Sequence, residues 1–102
     1  MIILHTNCPD LETARTIAAA LVEARLIAAA NIYPEIESQY IWKNERVQRT
    51  EIPLILKSRA ALIPAIEAKL AELHPYETPA VLVQKMDYVS ADYAAWVEEH
   101  TT

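Results

Sequence analysis

Glycine is absent from all 102 residues. The dinucleotide fingerprint and the phosphate-cradling loop both need glycine for close backbone approach, so neither nucleotide fold is available. Cysteine occurs once, at Cys8, which excludes an internal disulfide and a Cys-rich zinc module. No apolar run approaches the ~20 residues of a membrane span, and no basic segment precedes the opening MIILHT. The expectation is a cytoplasmic protein with no membrane partner. Positive charge is also scarce: 9 Lys and Arg against 14 Asp and Glu leave a formal net charge of −5. The basic residues are scattered, so no nucleic-acid footprint forms.

What remains is 53% apolar and 23% charged, which excludes disorder and supports one core. The chain is therefore read as a single domain, 1–102. Its organising stretch is Ile36 to Ser58, a long hairpin. Ser38, Tyr40 and Trp42 alternate with Gln39, Ile41 and Lys43, and Ile52, Leu54 and Leu56 alternate with Glu51, Pro53, Ile55 and Lys57. Lys43-Asn44 forms the turn, because Asn best tolerates positive φ where glycine is missing. Arms of this length overhang a small sheet, and an aromatic overhang needs a covering surface, most simply another copy of the chain.

Ahead of the hairpin, Ile2 to Asn7 alternates as a strand. Asp10 then caps a helix with an apolar stripe of Leu11, Ala14, Ile17, Ala18 and Leu21. A second strand starts after Leu26 and is interrupted at Pro34. Pro53 conflicts with a central position for the returning arm, since it cannot donate a ladder bond. Pro64 fits only the first turn of a helix starting near Ala61 or Leu62, with Ile63, Ile66, Leu70 and Leu73 as its stripe and an end at His74 before Pro75. Ala80 to Met86 is a fourth strand. Ser90 caps a last helix with Tyr93, Trp96 and Val97 on one side. The order β-α-β-β-α-β-α is the split βαβ pattern of an α+β, ferredoxin-like sandwich with a C-terminal helix added.

His74-Pro75-Tyr76-Glu77-Thr78-Pro79 presents an imidazole, a phenol and a carboxylate on a loop stiffened by two prolines. Taken with Pro9-Asp10, Arg25 to Ala28, Asn31-Ile32, Tyr40 to Trp42, Lys57, Asp92-Tyr93 and Trp96, this segment resembles the CutA family of divalent-cation-tolerance proteins over nearly the whole chain. The resemblance implies a ferredoxin-like subunit, a homotrimer, cytoplasmic residence and binding of Cu2+ or related divalent ions. It also implies metal ligands at His5 or its neighbours and at His74, and a likeness to the PII signalling proteins. Three positions depart from the family pattern: Ala29 where a Cys is common, Asn44 where the hairpin has Gly, and Ala80 where a Glu follows the second proline. The first removes a soft thiolate donor.

Each candidate also has a plainer role. His74 can cap helix carbonyls, and His5 can be a packed or interface histidine. Cys8 can be a small buried group, with only the helix start nearby to lower its pKa. Lys57 and Glu51 share a strand face and can neutralise one another. Tyr40, Trp42, Tyr93 and Trp96 can be core or interface aromatics. Two functions follow. A metal-binding protein would use His5, His74 and Glu77, with Cys8 a further donor, in clefts lined by Tyr40, Trp42, Lys57, Tyr76 and Trp96. A PII-like signalling module would instead bind a small anion near Lys57. Catalysis is not expected, because no third residue orients a histidine toward Cys8.

Overall fold

The computed structural model describes residues 1–102. Its elements are β1 (Ile2–Cys8), α1 (Leu11–Glu23), β2 (Ala29–Ile32), β3 (Ile36–Trp42), β4 (Glu45–Ser58), α2 (Ile63–Leu73), β5 (Leu82–Lys85) and α3 (Ala91–Glu99). The sheet order is β2-β4-β1-β5, all antiparallel, with β3 also paired to β4. This is the ferredoxin-like arrangement, with the expected second strand divided into β2 and β3.

The division resolves the conflict at Pro53. Strand β2 ends where Ile32 meets Leu54, and β3 begins where Ile36 meets Glu51. The Tyr33 amide donates to the Pro53 carbonyl at 3.0 Å. The N–H and C=O of one strand residue point to the same side, so the N–H that Pro53 lacks would face the break at Pro34-Glu35. On its other edge Pro53 pairs in register with Asn7. The two prolines therefore sit at one discontinuity, and β4 stays central.

Without glycine, the chain places ordinary residues in the left-handed region. Lys43 and Asn44 have φ of 48° and 65°, and Trp42 pairs with Glu45. This is a two-residue turn with positive φ at both central positions. Arg25, at φ 58°, ends α1. The Leu26 amide reaches the Leu21 carbonyl at 3.1 Å and the Arg25 amide reaches Val22 at 3.0 Å, the Schellman pattern normally given to glycine. At the other end of α1, Asp10 accepts from the Thr13 amide at 2.7 Å, as its capping role predicts.

Ile2, Leu4 and Cys8 of β1 and Ile52, Leu54 and Leu56 of β4 face Ala14, Ile17, Ala18 and Leu21 of α1 and Ile66 and Leu70 of α2. Leu11 lies outside this stripe, exposed at the first turn of its helix. A 3-10 turn at Ala60–Leu62 delays α2 to Ile63 and keeps Pro64 in its first turn. Strand β5 is shorter than Ala80 to Met86, because pairing with β1 begins only where His5 meets Leu82.

The opposite sheet face carries Ile3, His5, Asn7, Ile55 and Lys57, and α3 covers only part of it. Only 20 of 102 residues are buried, and large apolar side chains stand open on this face. Leu82 on this face is 63% exposed, and Ile41 near the hairpin tip is 66% exposed.

Candidate functional site

The face that carries Asn7 continues onto the hairpin. Ser38 lies opposite Arg49, Tyr40 opposite Val47 and Trp42 opposite Glu45, so the period-2 alternation brings Ser38, Tyr40, Trp42, Arg49 and Glu51 to one side of the ribbon. The loop after α2 folds over that side. Together they enclose a cleft of about 500 Å3, whose walls include Tyr40, Trp42, Arg49, Glu51, Tyr76 and Ala80.

His74 fastens the loop. Its Nδ1 accepts from the Tyr76 amide at 3.2 Å, so Nε2 carries the proton and donates to the Asn7 carbonyl at 2.8 Å. The ring is buried and tilted against Tyr76, with centroids 4.8 Å apart. His74 thus ties α2 to β1 rather than capping helix carbonyls with its side chain. Pro75 and Pro79 hold the intervening turn, and Glu77 reaches Lys43 at the hairpin tip at 3.2 Å. Both groups of that pair are exposed, so it adds little stability.

Glu51 is the unusual group. Its residue is 5% exposed, yet it makes no ion pair, and it accepts a hydrogen bond from the Tyr76 hydroxyl at 2.8 Å. Burial, reinforced by this bond, holds the Tyr76 phenol far above its ordinary pKa. Arg49 makes no direct ion pair with Glu51, although the two charges attract one another. Its guanidinium lies 4.9 Å from the centre of the Tyr76 ring instead, and it too makes no ion pair.

The other expected residues lie elsewhere. His5 is on the open sheet face, where Nε2–H donates to the Asn7 Oδ1 at 3.1 Å and Nδ1 makes no hydrogen bond. Lys57 does not neutralise Glu51: its ammonium sits 5.7 Å over the Tyr93 ring, outside the cleft. Trp96 stacks on Tyr93 at 5.6 Å, also outside it. Cys8 is fully buried in the core. No three His, Cys, Asp or Glu side chains of the chain are placed to hold a metal ion. Arg49 and Glu51 are cleft residues that the sequence reading did not assign to a site, although the hairpin alternation puts both on the face of Tyr40 and Ser38.

Burial pushes the Cys8 thiol up to about 11 from 9.0, with Asp10 and Glu51 adding to the effect, so the helix start does not lower it. A raised folded pKa contributes stability that is complete below pH 9 and is lost as the pH climbs through 11, because the unfolded thiol ionises first. Unfolding free energy is expected to fall across that window on account of Cys8. Denaturant titrations of wild type and Cys8→Ala at pH 8 and pH 11 check this. The variant should lose that part of the slope, and parallel slopes would reject it.

Against this geometry stand the known proteins. A sequence model of the CutA1 divalent ion tolerance protein family matches residues 2–100. The chain belongs to the CutA1 family. The divalent-cation tolerance protein CutA of Pyrococcus horikoshii is 38% identical over 101 residues, which cover 99% of this chain and 98% of that one. CutA of Thermus thermophilus is 38% identical over 91% and 90%. The chain spans about half the length of the mouse and human CutA proteins, 54% and 53%. A crystal structure of Pyrococcus horikoshii CutA1 carrying the mutation D60A superposes with a TM-score of 0.96 at 38% identity, covering 100% and 99% of the two chains. Oryza sativa CutA1 superposes at 0.95 with 28% identity, covering 99% and 93%. The CutA1 fold is therefore shared in full, hairpin included.

Proposed function

We propose that this chain is a homotrimeric divalent-cation tolerance protein that binds copper or a related divalent ion and takes part in the response to it. The observation that carries the reading is the match to the CutA1 family across residues 2–100. Relatives named for divalent-cation tolerance support the metal, and the uncovered sheet face and overhanging hairpin support assembly. The metal is cargo here, and one subunit does not gather enough donors for it. The site is accordingly shared between subunits. His5 brings an imidazole whose Nδ1 makes no hydrogen bond, and Glu77 brings a carboxylate held only by an exposed pair. His74 joins only by exchanging its bond from the Tyr76 amide for a bond to metal.

Native mass spectrometry with added Cu2+ tests this. The expected result is a trimer that takes up copper in fixed stoichiometry, and His5→Ala should weaken that uptake about tenfold or more. Affinity should also fall on acidification, because protons compete with the metal for its ligands. A folded assembly that takes up no copper would remove the metal reading.

A second reading, sensing of a small ligand, is favoured by one observation. The cleft holds a buried carboxylate and a guanidinium, neither of them in an ion pair. Its place is the hairpin cleft rather than the surroundings of Lys57.

A further inference from the structure

We propose that Asn7 is a positioning residue of the metal site, holding the His5 ring so that Nδ1 meets the incoming divalent ion. The inference rests on the metal reading and names the residue that aims its open imidazole.

On the sheet face His5 is flanked by Ile55 across one ladder and Leu82 across the other, with Ile3 and Asn7 two residues away along β1. Of these four neighbours only Asn7 carries a hydrogen-bonding side chain. Its Oδ1 accepts from His5 Nε2 at 3.1 Å, and an amide oxygen can only accept, so that nitrogen carries hydrogen. The neutral ring then has its acceptor at Nδ1, which makes no hydrogen bond. The main-chain carbonyl of the same residue holds His74 in the same tautomer through Nε2 at 2.8 Å, but there Nδ1 is occupied by the Tyr76 amide at 3.2 Å. Asn7 therefore fastens both imidazoles and leaves only that of His5 open. A carbonyl behind the far nitrogen is what metal-bound imidazoles ordinarily have. It fixes the tautomer, settles the rotation of the ring and makes the ligating nitrogen a stronger donor. Imidazole nitrogen suits Cu2+ and Zn2+. Both residues belong to β1 of one chain, so the pair exists before a second copy arrives. A copy seated on this face can supply the remaining donors, and nothing in the arrangement needs the hairpin cleft to stay open.

The test reads the ring nitrogens directly, by nitrogen NMR of the labelled histidines in mildly alkaline buffer, first without metal and then with Zn2+ as a diamagnetic probe. Wild-type His5 is expected to be the Nε2–H tautomer and to shift at Nδ1 when Zn2+ is added. Asn7→Ala keeps the main-chain bond to His74, and it should mix the tautomers of His5 and weaken Zn2+ and Cu2+ binding about tenfold or more. Asn7→Asp keeps an acceptor and should restore both the tautomer and the affinity. Metal on Nε2 of His5 in the wild type, or an Asn7→Ala protein that binds with unchanged affinity, would overturn the positioning role while leaving the metal reading intact. A folded wild type that takes up neither ion overturns the two together. The wild-type spectra give the tautomer and the ligating nitrogen on their own, so a variant that fails to fold does not shield the inference.

Discussion

A chain carrying Leu82→Asp is expected to fall apart into single subunits and to melt at a much lower temperature than the wild type. Leu82 lies opposite His5 on the sheet face that α3 leaves open, and its side chain is 63% exposed in the lone subunit. If that face is where copies of the chain meet, each subunit buries a leucine there, which contributes about 2–3 kcal/mol. Aspartate forfeits that burial and adds the desolvation of a carboxylate, repeated in every subunit of the assembly. Sedimentation and thermal unfolding of the variant beside the wild type measure both effects. A variant with unchanged mass and unchanged melting temperature would show that this face stays in water.

His74→Ala is expected to destabilise the fold by about 3 kcal/mol. The substitution removes two hydrogen bonds, leaves the Asn7 carbonyl and the Tyr76 amide without their partner, and empties the space beside the Tyr76 ring. The loop from Pro75 to Ala80 should loosen first, and with it the Tyr76 contact to Glu51. Denaturant unfolding gives the stability. Copper titration of the folded variant separates fastening from ligation: a stability loss with unchanged affinity assigns His74 to the loop alone, whereas a loss of affinity in a folded protein places it in the metal site.

Much of the fold is legible in the residues, because alternation and capping are local. The hairpin period, the Asp10 and Ser90 caps, the Pro64 position and the helix end before Pro75 each follow from a neighbour or two along the chain. The break between β2 and β3 is harder to read. Pro34 and Pro53 lie 19 positions apart in the sequence, and only register shows that they meet at one discontinuity. The cleft is harder still. Tyr76 and Glu51 are both visible in the sequence, but their contact depends on how His74 docks on β1, a long-range event without a local signature. Cys8 shows the same limit, since proximity to a helix start predicts a lowered pKa and full burial in the core reverses it. Lys57 and Glu51 share a face as the alternation says, yet their separation along β4 sends one to Tyr93 and the other to Tyr76.

The central claim is that a subunit with so much uncovered apolar surface is completed by copies of itself. Sedimentation velocity of the wild-type chain at low micromolar concentration tests that claim most directly. A single species at three times the 11.5 kDa subunit mass is predicted. A single species at 11.5 kDa, folded and stable, would contradict it.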